Sequence, residues 1–188
     1  MEINLTKRDV ARRQLMTAIT LLFENKDRVS VFSLASNAWE VIDVLCNRAG
    51  VESMSNQTRQ NIPAGRYLKA HYINAPCRNF FKHAEGDPDA ILKEFDEMSV
   101  DAIAFLAVED YMRLFKRAPI EFQVFQLWYL ATNEEKVAES EKDRISRAVG
   151  ERFPGIQDAS RIRQLEIGRD ALLNALRDPE LLADPATE

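Results

Sequence analysis

Apolar residues recur every three or four positions through the first fifty residues of this chain, as they do on one face of an α-helix. From Thr6 onward the recurring positions are Val10, Leu15, Ile19, Leu22 and Phe23. A polar break at 25–28 separates this stretch from a second one, VSVFSLASNAWEVIDVLCNRAG, which ends at Gly50. Thr6 followed by Asp9 resembles a capping box, and glycine commonly follows the last turn of a helix. The pattern therefore predicts two helices joined by a short link, an αα-hairpin.

The middle of the chain predicts shorter elements, because proline and glycine interrupt the apolar pattern. Pro76 is expected to break one helix and start the next, since proline lacks a backbone donor but suits the first turn of a helix. The predicted order is a loop at 52–62, a helix from 63 or 64 to 74, a helix at 77–84, a turn at 86–89 and a further helical turn at 90–95.

The second half of the chain predicts longer helices, one of them rich in aromatic residues. Ser99 is expected to cap a helix that reaches about residue 116, and Pro119 is expected to start the aromatic helix PIEFQVFQLWYLAT. Further helical patterns lie at 145–153 and 162–176. The tail, DPELLADPATE, is expected to be frayed.

These elements predict an all-α fold, a helical bundle of about six to eight helices in a single domain. The 188 residues include only six glycines and seven prolines, which is too little turn material for many short strands. Residues 1–135 are expected to form the core of the bundle, and residues 136–188 a C-terminal helical hairpin packed on that core.

Composition and charge are typical of a globular protein, and they argue against several other classes of protein. With 46% hydrophobic and 29% charged residues the chain can bury a core, and its net charge of −5 gives no overall positive field that would attract nucleic acid or acidic lipid. Cys46 and Cys77 lack the spacing of a metal site, so buried thiols in a reducing compartment are expected. No apolar run approaches the ~18 residues of a membrane span, and the N-terminus has no apolar signal core. We therefore expect a cytoplasmic protein with no membrane partner.

The charge is distributed unevenly. Residues 53–84, which we call the basic segment, contain no Asp or Glu. Their charged and titratable residues are Arg59, Arg66, Lys69, His71, Arg78, Lys82 and His83. A basic stretch in an acidic protein predicts an anion site, and Arg66, Lys69, His71 and Lys82 are the expected contacts with an anion such as RNA. The alternative is a solvated helix face that pairs with acidic neighbours.

One short stretch within the basic segment combines the groups needed for phosphodiester chemistry without a metal. On a helix, Asn79 and His83 share a face, and Arg78 lies about 100° away with a side chain long enough to reach the same spot. Phe80 and Phe81 are expected to pack inward. An imidazole can exchange a proton with a ribose 2′-hydroxyl, while a guanidinium binds phosphate. Alternatively, His83 ends its helix and Arg78 pairs with an acidic neighbour.

Carboxylates on two apolar helices raise the possibility of a metal site. Glu40 and Asp43 are three residues apart, and Glu109 and Asp110 are adjacent. A di-metal bundle site needs Glu-x-x-His, which neither pair supplies. Glu40 could instead pair with Arg78 or orient His83, and the commoner alternative is that such acids lie at the edge of an apolar stripe. The chain also has no glycine-rich phosphate loop. We expect no metal and no other cofactor.

The stretch Arg78-Asn79-Phe80-Phe81-Lys82-His83 resembles the R-x4-6-H motif of the HEPN superfamily, in the form where Asn follows Arg. HEPN domains are small all-α bundles, and many are metal-independent ribonucleases that dimerise so that two motifs face one cleft. The resemblance implies that Arg78 contacts phosphate, His83 acts as acid or base and Asn79 supports them. It also implies an RNA partner and a homodimer. The longer string NFFKHAEGDPDA resembles a block in uncharacterised bacterial proteins.

Two hypotheses follow from the sequence. The first is a HEPN-like protein that cleaves or binds RNA, with Arg78 and His83 in one solvent-open cleft and Asn79 beside them. The second is a non-enzymatic helical interaction protein, a possible homodimer, in which His83 is buried or turned away from Arg78. In the second hypothesis an exposed part of the aromatic helix would contact a protein partner, although such a cluster is more often core.

Overall fold

The structure, a computed structural model, describes residues 3–136, 142, 149–150 and 152–188. The predicted all-α helical bundle is confirmed: within the described residues there is no strand, only an isolated bridge between Ala118 and Thr187. The elements are α1 (Lys7–Phe23), α2 (Arg28–Ala49), α3 (Met54–Gln60), a π-helix (Leu68–Arg78), α4 (Asn79–Lys82), α5 (Glu97–Phe115), α6 (Ile120–Thr132), a 3₁₀ turn (Glu134–Lys136), α7 (Arg161–Ala175) and α8 (Pro179–Ala183). They divide into two compact units.

The first compact unit consists of residues 3–18 and Arg28–Leu114. Its first helix begins with the predicted capping box: the Asp9 N–H donates to Thr6 Oγ1 (3.1 Å), and the Thr6 N–H donates to Asp9 Oδ2 (2.9 Å). The fully buried side chains of this unit include Leu15, Val31, Trp39, Ile42, Val100 and Tyr111. Burial of large apolar side chains of this kind contributes roughly 1.5–3 kcal/mol each, which makes this core the main source of the unit's stability.

Helix α2 is long and apolar enough to cross a membrane by length and composition alone, with a mean hydropathy of 1.3 over an 18-residue window. Half of that window is buried inside the protein. Its buried positions include Phe32, Trp39 and Ile42. The hydropathy of α2 is therefore accounted for by its place in the core of the first unit.

The region after α2 differs most from the sequence prediction. The stretch predicted as a loop at 52–62 contains α3, whose N-cap residue Ser53 accepts a hydrogen bond from the Asn56 N–H (3.0 Å). Pro76 neither ends a helix nor starts one, because it lies inside the π-helix. In an α-helix the proline ring clashes with the carbonyl four residues earlier, and the i→i+5 bonding of a π-helix changes that spacing.

The predicted helical turn at 90–95 is wrong, since this stretch has no regular secondary structure. Packing of aromatic rings holds it instead. The Phe95 ring meets Phe32 at 5.9 Å and Phe81 at 5.4 Å between centroids, both edge to face. Helix α5 then begins two residues before Ser99, so Ser99 is not its cap.

The second compact unit consists of Ile19–Asp27 and the described residues from Phe115 to Glu188. Helices α6 and α7 pack against each other within it. The aromatic residues of α6 are buried, namely Phe122, Phe125, Trp128 and Tyr129. The Trp128 indole N–H donates to the Gln164 carbonyl of α7 (2.8 Å). The aromatic helix is therefore core, and it does not offer the exposed contact surface that the interaction-protein hypothesis required.

The C-terminal tail is anchored, so the prediction of a frayed tail is wrong. The Arg117 guanidinium donates two hydrogen bonds to the Thr187 carbonyl oxygen (2.6 and 3.2 Å), and Gln123 Nε2 donates to the Thr187 hydroxyl (2.9 Å). Asp178 caps α8 by accepting from two backbone N–H groups. Side-chain bonds from distant residues thus fix a segment whose own composition favours fraying.

The predicted C-terminal hairpin at 136–188 includes residues that the structure does not describe. Of the helix predicted at 145–153, only 149–150 and 152–153 are described. The helix predicted at 162–176 is present as α7. The hairpin as a whole, and its boundary with the core, stay predictions.

Candidate functional site

The basic segment forms α3, the π-helix and α4 of the first unit. The four residues predicted to contact an anion are all exposed: Arg66, Lys69, His71 and Lys82. The side chains of Arg66 and Lys82 form no hydrogen bond or ion pair within the described part of the chain. These positions are therefore accessible to a polyanion from solvent.

Arg78 is held on the inner side of the basic segment. Its side chain is only 11% exposed, and its guanidinium forms an ion pair with Glu40 of α2. It also donates a hydrogen bond to Asn37 Oδ1 (3.0 Å), while its Nε is buried without a partner among the described residues. The alternative in which Arg78 pairs with an acidic neighbour is thus the one observed, and Glu40 is that neighbour.

Glu40 bridges two cations of the basic segment. One carboxylate oxygen pairs with Arg78, and the other accepts a hydrogen bond from Lys69 Nζ (2.5 Å). Burial raises the pKa of Glu40, but the hydrogen bond from Lys69 and the charge of Arg78 outweigh it, so the pKa lies below its ordinary value of 4.5. Glu40 is thereby kept ionised, and it neutralises part of the positive charge that the sequence places here.

His83 lies just beyond the end of a helix. Helix α4 stops at Lys82, so the predicted helix at 77–84 is too long, and His83 follows with extended backbone angles. The His83 N–H still donates to the Asn79 carbonyl one turn earlier (3.0 Å), and both side chains are exposed. No hydrogen bond engages the His83 imidazole within residues 3–136. The structure leaves His83 and Asn79 open to solvent, whereas the Arg78 guanidinium is bound to α2.

The two phenylalanines of the motif have different environments. Phe81 packs edge to face on Phe32 with 5.7 Å between ring centroids, as predicted for an inward-facing ring. Phe80 is 38% exposed, so the prediction that it packs inward is wrong. Helix α4 is anchored by one ring, because consecutive side chains on an α-helix point about 100° apart.

A pair of rings at the start of the π-helix was not singled out from the sequence. The Tyr67 and His71 rings are stacked, with centroids 5.9 Å apart and an angle of 28° between their planes. The Tyr67 N–H donates to His71 Nδ1 (2.9 Å), which fixes the orientation of the imidazole. The signal was present in RYLKAHY, where tyrosines alternate with cations, a composition typical of nucleic-acid contact surfaces.

The other three carboxylates considered for a metal site are engaged by protein donors. Asp43 Oδ2 accepts a hydrogen bond from Arg59 (2.6 Å), and Glu109 pairs with Arg113. Asp110 is fully buried and accepts bonds from the Ser55 N–H (3.1 Å) and hydroxyl (2.5 Å). Within the part of the chain that the structure describes, no group of three or more His, Cys, Asp or Glu residues is placed to hold a metal ion.

Both cysteines are buried thiols, as predicted. Burial raises the pKa of Cys46 to about 12, and the charges of Asp110 and Asp43 act in the same direction. Burial also raises the pKa of Cys77. Neither thiol has the thiolate character that a nucleophile or a metal ligand needs.

No protein-family model, no curated protein and no solved structure matches this chain. The HEPN resemblance therefore rests on the six residues from Arg78 to His83.

Proposed function

We propose that this protein is a HEPN-like RNA-binding protein that contacts the RNA backbone through the basic segment. The observation that carries the proposal is the set of exposed polar side chains without a described protein partner: Arg66, Asn79, Lys82 and His83. No Asp or Glu lies within residues 53–84 to compete for them. Phosphate contacts of this kind provide most of the affinity of proteins for nucleic acid.

The contacts of the Arg78 guanidinium favour RNA binding over RNA cleavage as the function. Stabilisation of a transition state at phosphorus needs a donor aimed at the phosphoryl oxygens, but the Arg78 guanidinium already binds Glu40 and Asn37. In this arrangement Arg78 fastens the π-helix to α2. The anion contacts then come from the outer residues Arg66 and Lys82.

The proposal is tested by removing two outer cations. We expect the variant with Arg66→Gln and Lys82→Gln to bind a single-stranded RNA of about 16 nucleotides roughly 10- to 30-fold more weakly than wild type near ~0.1 M salt. The matched control carries Lys26→Gln and Arg48→Gln, which also removes two exposed cations but outside the basic segment. Fluorescence anisotropy measures both affinities. An equal loss in the two double variants would mean that net charge, and not this segment, binds RNA.

Cleavage is a second candidate, favoured by the solvent-open His83 imidazole one turn from Asn79. We expect any cleavage in EDTA to fall by ~10²–10⁴ in His83→Ala, since a positioned acid–base group contributes about that factor. His71→Ala, which removes the other histidine, is the control for the chemical step only, because His71 belongs to the RNA-binding surface and its loss is expected to weaken binding. Single-turnover rates at saturating protein separate chemistry from binding. If wild type and both variants cleave at one rate, the activity does not belong to this site.

A further inference from the structure

The outer side of the π-helix carries aromatic rings that are open to solvent. Tyr67 is 68% exposed and Tyr72 is 46% exposed. Tyrosines usually bury most of their ring in a core or an interface, because the ring is a large apolar surface. Tyr67 is the extended residue just before the π-helix, and Tyr72 lies within the helix five positions later. Both rings therefore belong to one exposed stretch of the basic segment.

The Tyr67 ring contacts a second ring whose orientation is fixed by a hydrogen bond. It stacks on His71 with centroids 5.9 Å apart, and the imidazole is in turn fixed by the hydrogen bond that its Nδ1 accepts from the Tyr67 N–H (2.9 Å). A tyrosine ring that already stacks on an oriented imidazole has less conformational entropy to lose than a free one when a further ring stacks on it. Its exposed face is a ready platform for a flat ligand.

The charge around the platform indicates which flat ligand fits. Arg66 precedes Tyr67 in the chain and its side chain has no partner among the described residues, whereas Lys69 is two positions after Tyr67 and pairs with Glu40. Aromatic rings interleaved with cations suit single-stranded nucleic acid, whose bases stack on the rings while the phosphates meet the cations. A duplex has its bases already stacked and offers only its backbone and groove edges.

We propose that the stacked pair Tyr67 and His71, with Tyr72, forms a base-stacking platform that makes the basic segment select single-stranded over double-stranded RNA. The inference rests on the proposed function, because the phosphate contacts of Arg66 and Lys82 bring the strand to the platform. The platform adds selectivity for unpaired bases to those contacts.

The test compares Tyr67→Leu with Tyr67→Phe in the full-length protein. We expect Tyr67→Leu to weaken binding of a single-stranded RNA by about 5- to 100-fold, the loss of one stacked base. Tyr67→Phe keeps the ring and should bind like wild type. Neither variant changes the salt dependence of binding, because no cation is lost. Far-UV circular dichroism and thermal melting confirm that the exposed substitutions leave the fold intact.

The outcomes separate this inference from the function on which it rests. Wild type should bind the single strand more tightly than a duplex of the same sequence. Equal affinity for both forms, or unchanged binding by Tyr67→Leu, overturns the stacking platform while the phosphate contacts stand. If Tyr67→Phe weakens binding of the single strand as much as Tyr67→Leu does, the hydroxyl and not the ring contributes the affinity. The stacking platform is then wrong. If wild type binds no RNA at all, both proposals fail and a protein partner becomes the candidate for this face.

Discussion

Replacing Asp110 by alanine is expected to lower the free energy of unfolding by about 3–5 kcal/mol. Asp110 has no exposed surface and accepts hydrogen bonds from the backbone N–H and the hydroxyl of Ser55. The Ser55 hydroxyl oxygen accepts in turn from the Trp39 indole N–H (2.8 Å). Alanine would leave the buried N–H and hydroxyl of Ser55 without their acceptor, and it would open a gap between α2, α3 and α5.

Equilibrium unfolding in urea measures the free energies of unfolding of wild type and of Asp110→Ala. Asp89→Ala, which removes an exposed carboxylate from a turn, is the matched control and should change stability by less than about 0.5 kcal/mol. If the two variants are equally stable, the buried network contributes nothing and the account of the first unit is wrong. Loss of the network should also reduce RNA binding, because Ser55 anchors α3 at the start of the basic segment.

The contribution of Asp110 to the free energy of unfolding is expected to decrease as the pH rises. Burial raises its pKa above the ordinary value of 3.8, although the hydrogen bonds from Ser55 act in the opposite direction. Its contribution to stability is therefore complete below 3.8 and is lost as the pH rises through the raised value. Asp110→Asn cannot titrate, so the free energy of unfolding of that variant should fall less steeply with pH across this window than that of wild type.

Replacing Gly168 by alanine is expected to destabilise the second unit by about 2–3 kcal/mol, even though alanine favours a helix over glycine by about 1 kcal/mol. A Cβ atom at Gly168 of α7 would overlap the Phe23 ring, with Cδ1 at 2.8 Å, and would lie 2.9 Å from Trp128 Cδ1. Both rings are buried and in edge contact with each other, so neither can move aside without repacking. Overpacking therefore outweighs the gain in helix propensity.

Gly86→Ala is the control for this substitution. A Cβ atom at Gly86 meets nothing within 4 Å, and its backbone is not in the left-handed region. Chemical unfolding followed by tryptophan fluorescence reports on the surroundings of both buried tryptophans, Trp128 in the second unit and Trp39 in the first. Equal stability of the Gly168→Ala and Gly86→Ala proteins would contradict the tight packing of α7 on α6.

Local rules predicted the elements whose stabilising contacts are local. The apolar repeat and the Thr6–Asp9 pair were sufficient for α1, because a capping box lies within one turn. The aromatic density of α6 was read correctly as core. By contrast, α3 has a polar sequence, and its Ser55 is held by Asp110, 55 residues away. No pattern within a short window could have indicated that partner.

The candidate site was predicted only in part, because some of its contacts are local and others join residues far apart in the chain. The exposure of the outer cations follows from the basic segment's composition. The Arg78–Glu40 pair was one of two alternatives that the sequence allowed, and only packing of the π-helix on α2 selected it. The π-helix itself was missed, because the rule that proline interrupts an α-helix does not extend to i→i+5 bonding.

The salt dependence of RNA affinity tests the central claim most directly. If Arg66 and Lys82 contact phosphates, a plot of log affinity against log salt concentration for the Arg66→Gln, Lys82→Gln protein should be less steep than that of wild type by about 1.4, the loss of two single-strand contacts. The Lys26→Gln, Arg48→Gln protein should keep the wild-type slope. A double variant of the basic segment with an unchanged slope would show that RNA is bound elsewhere or not at all.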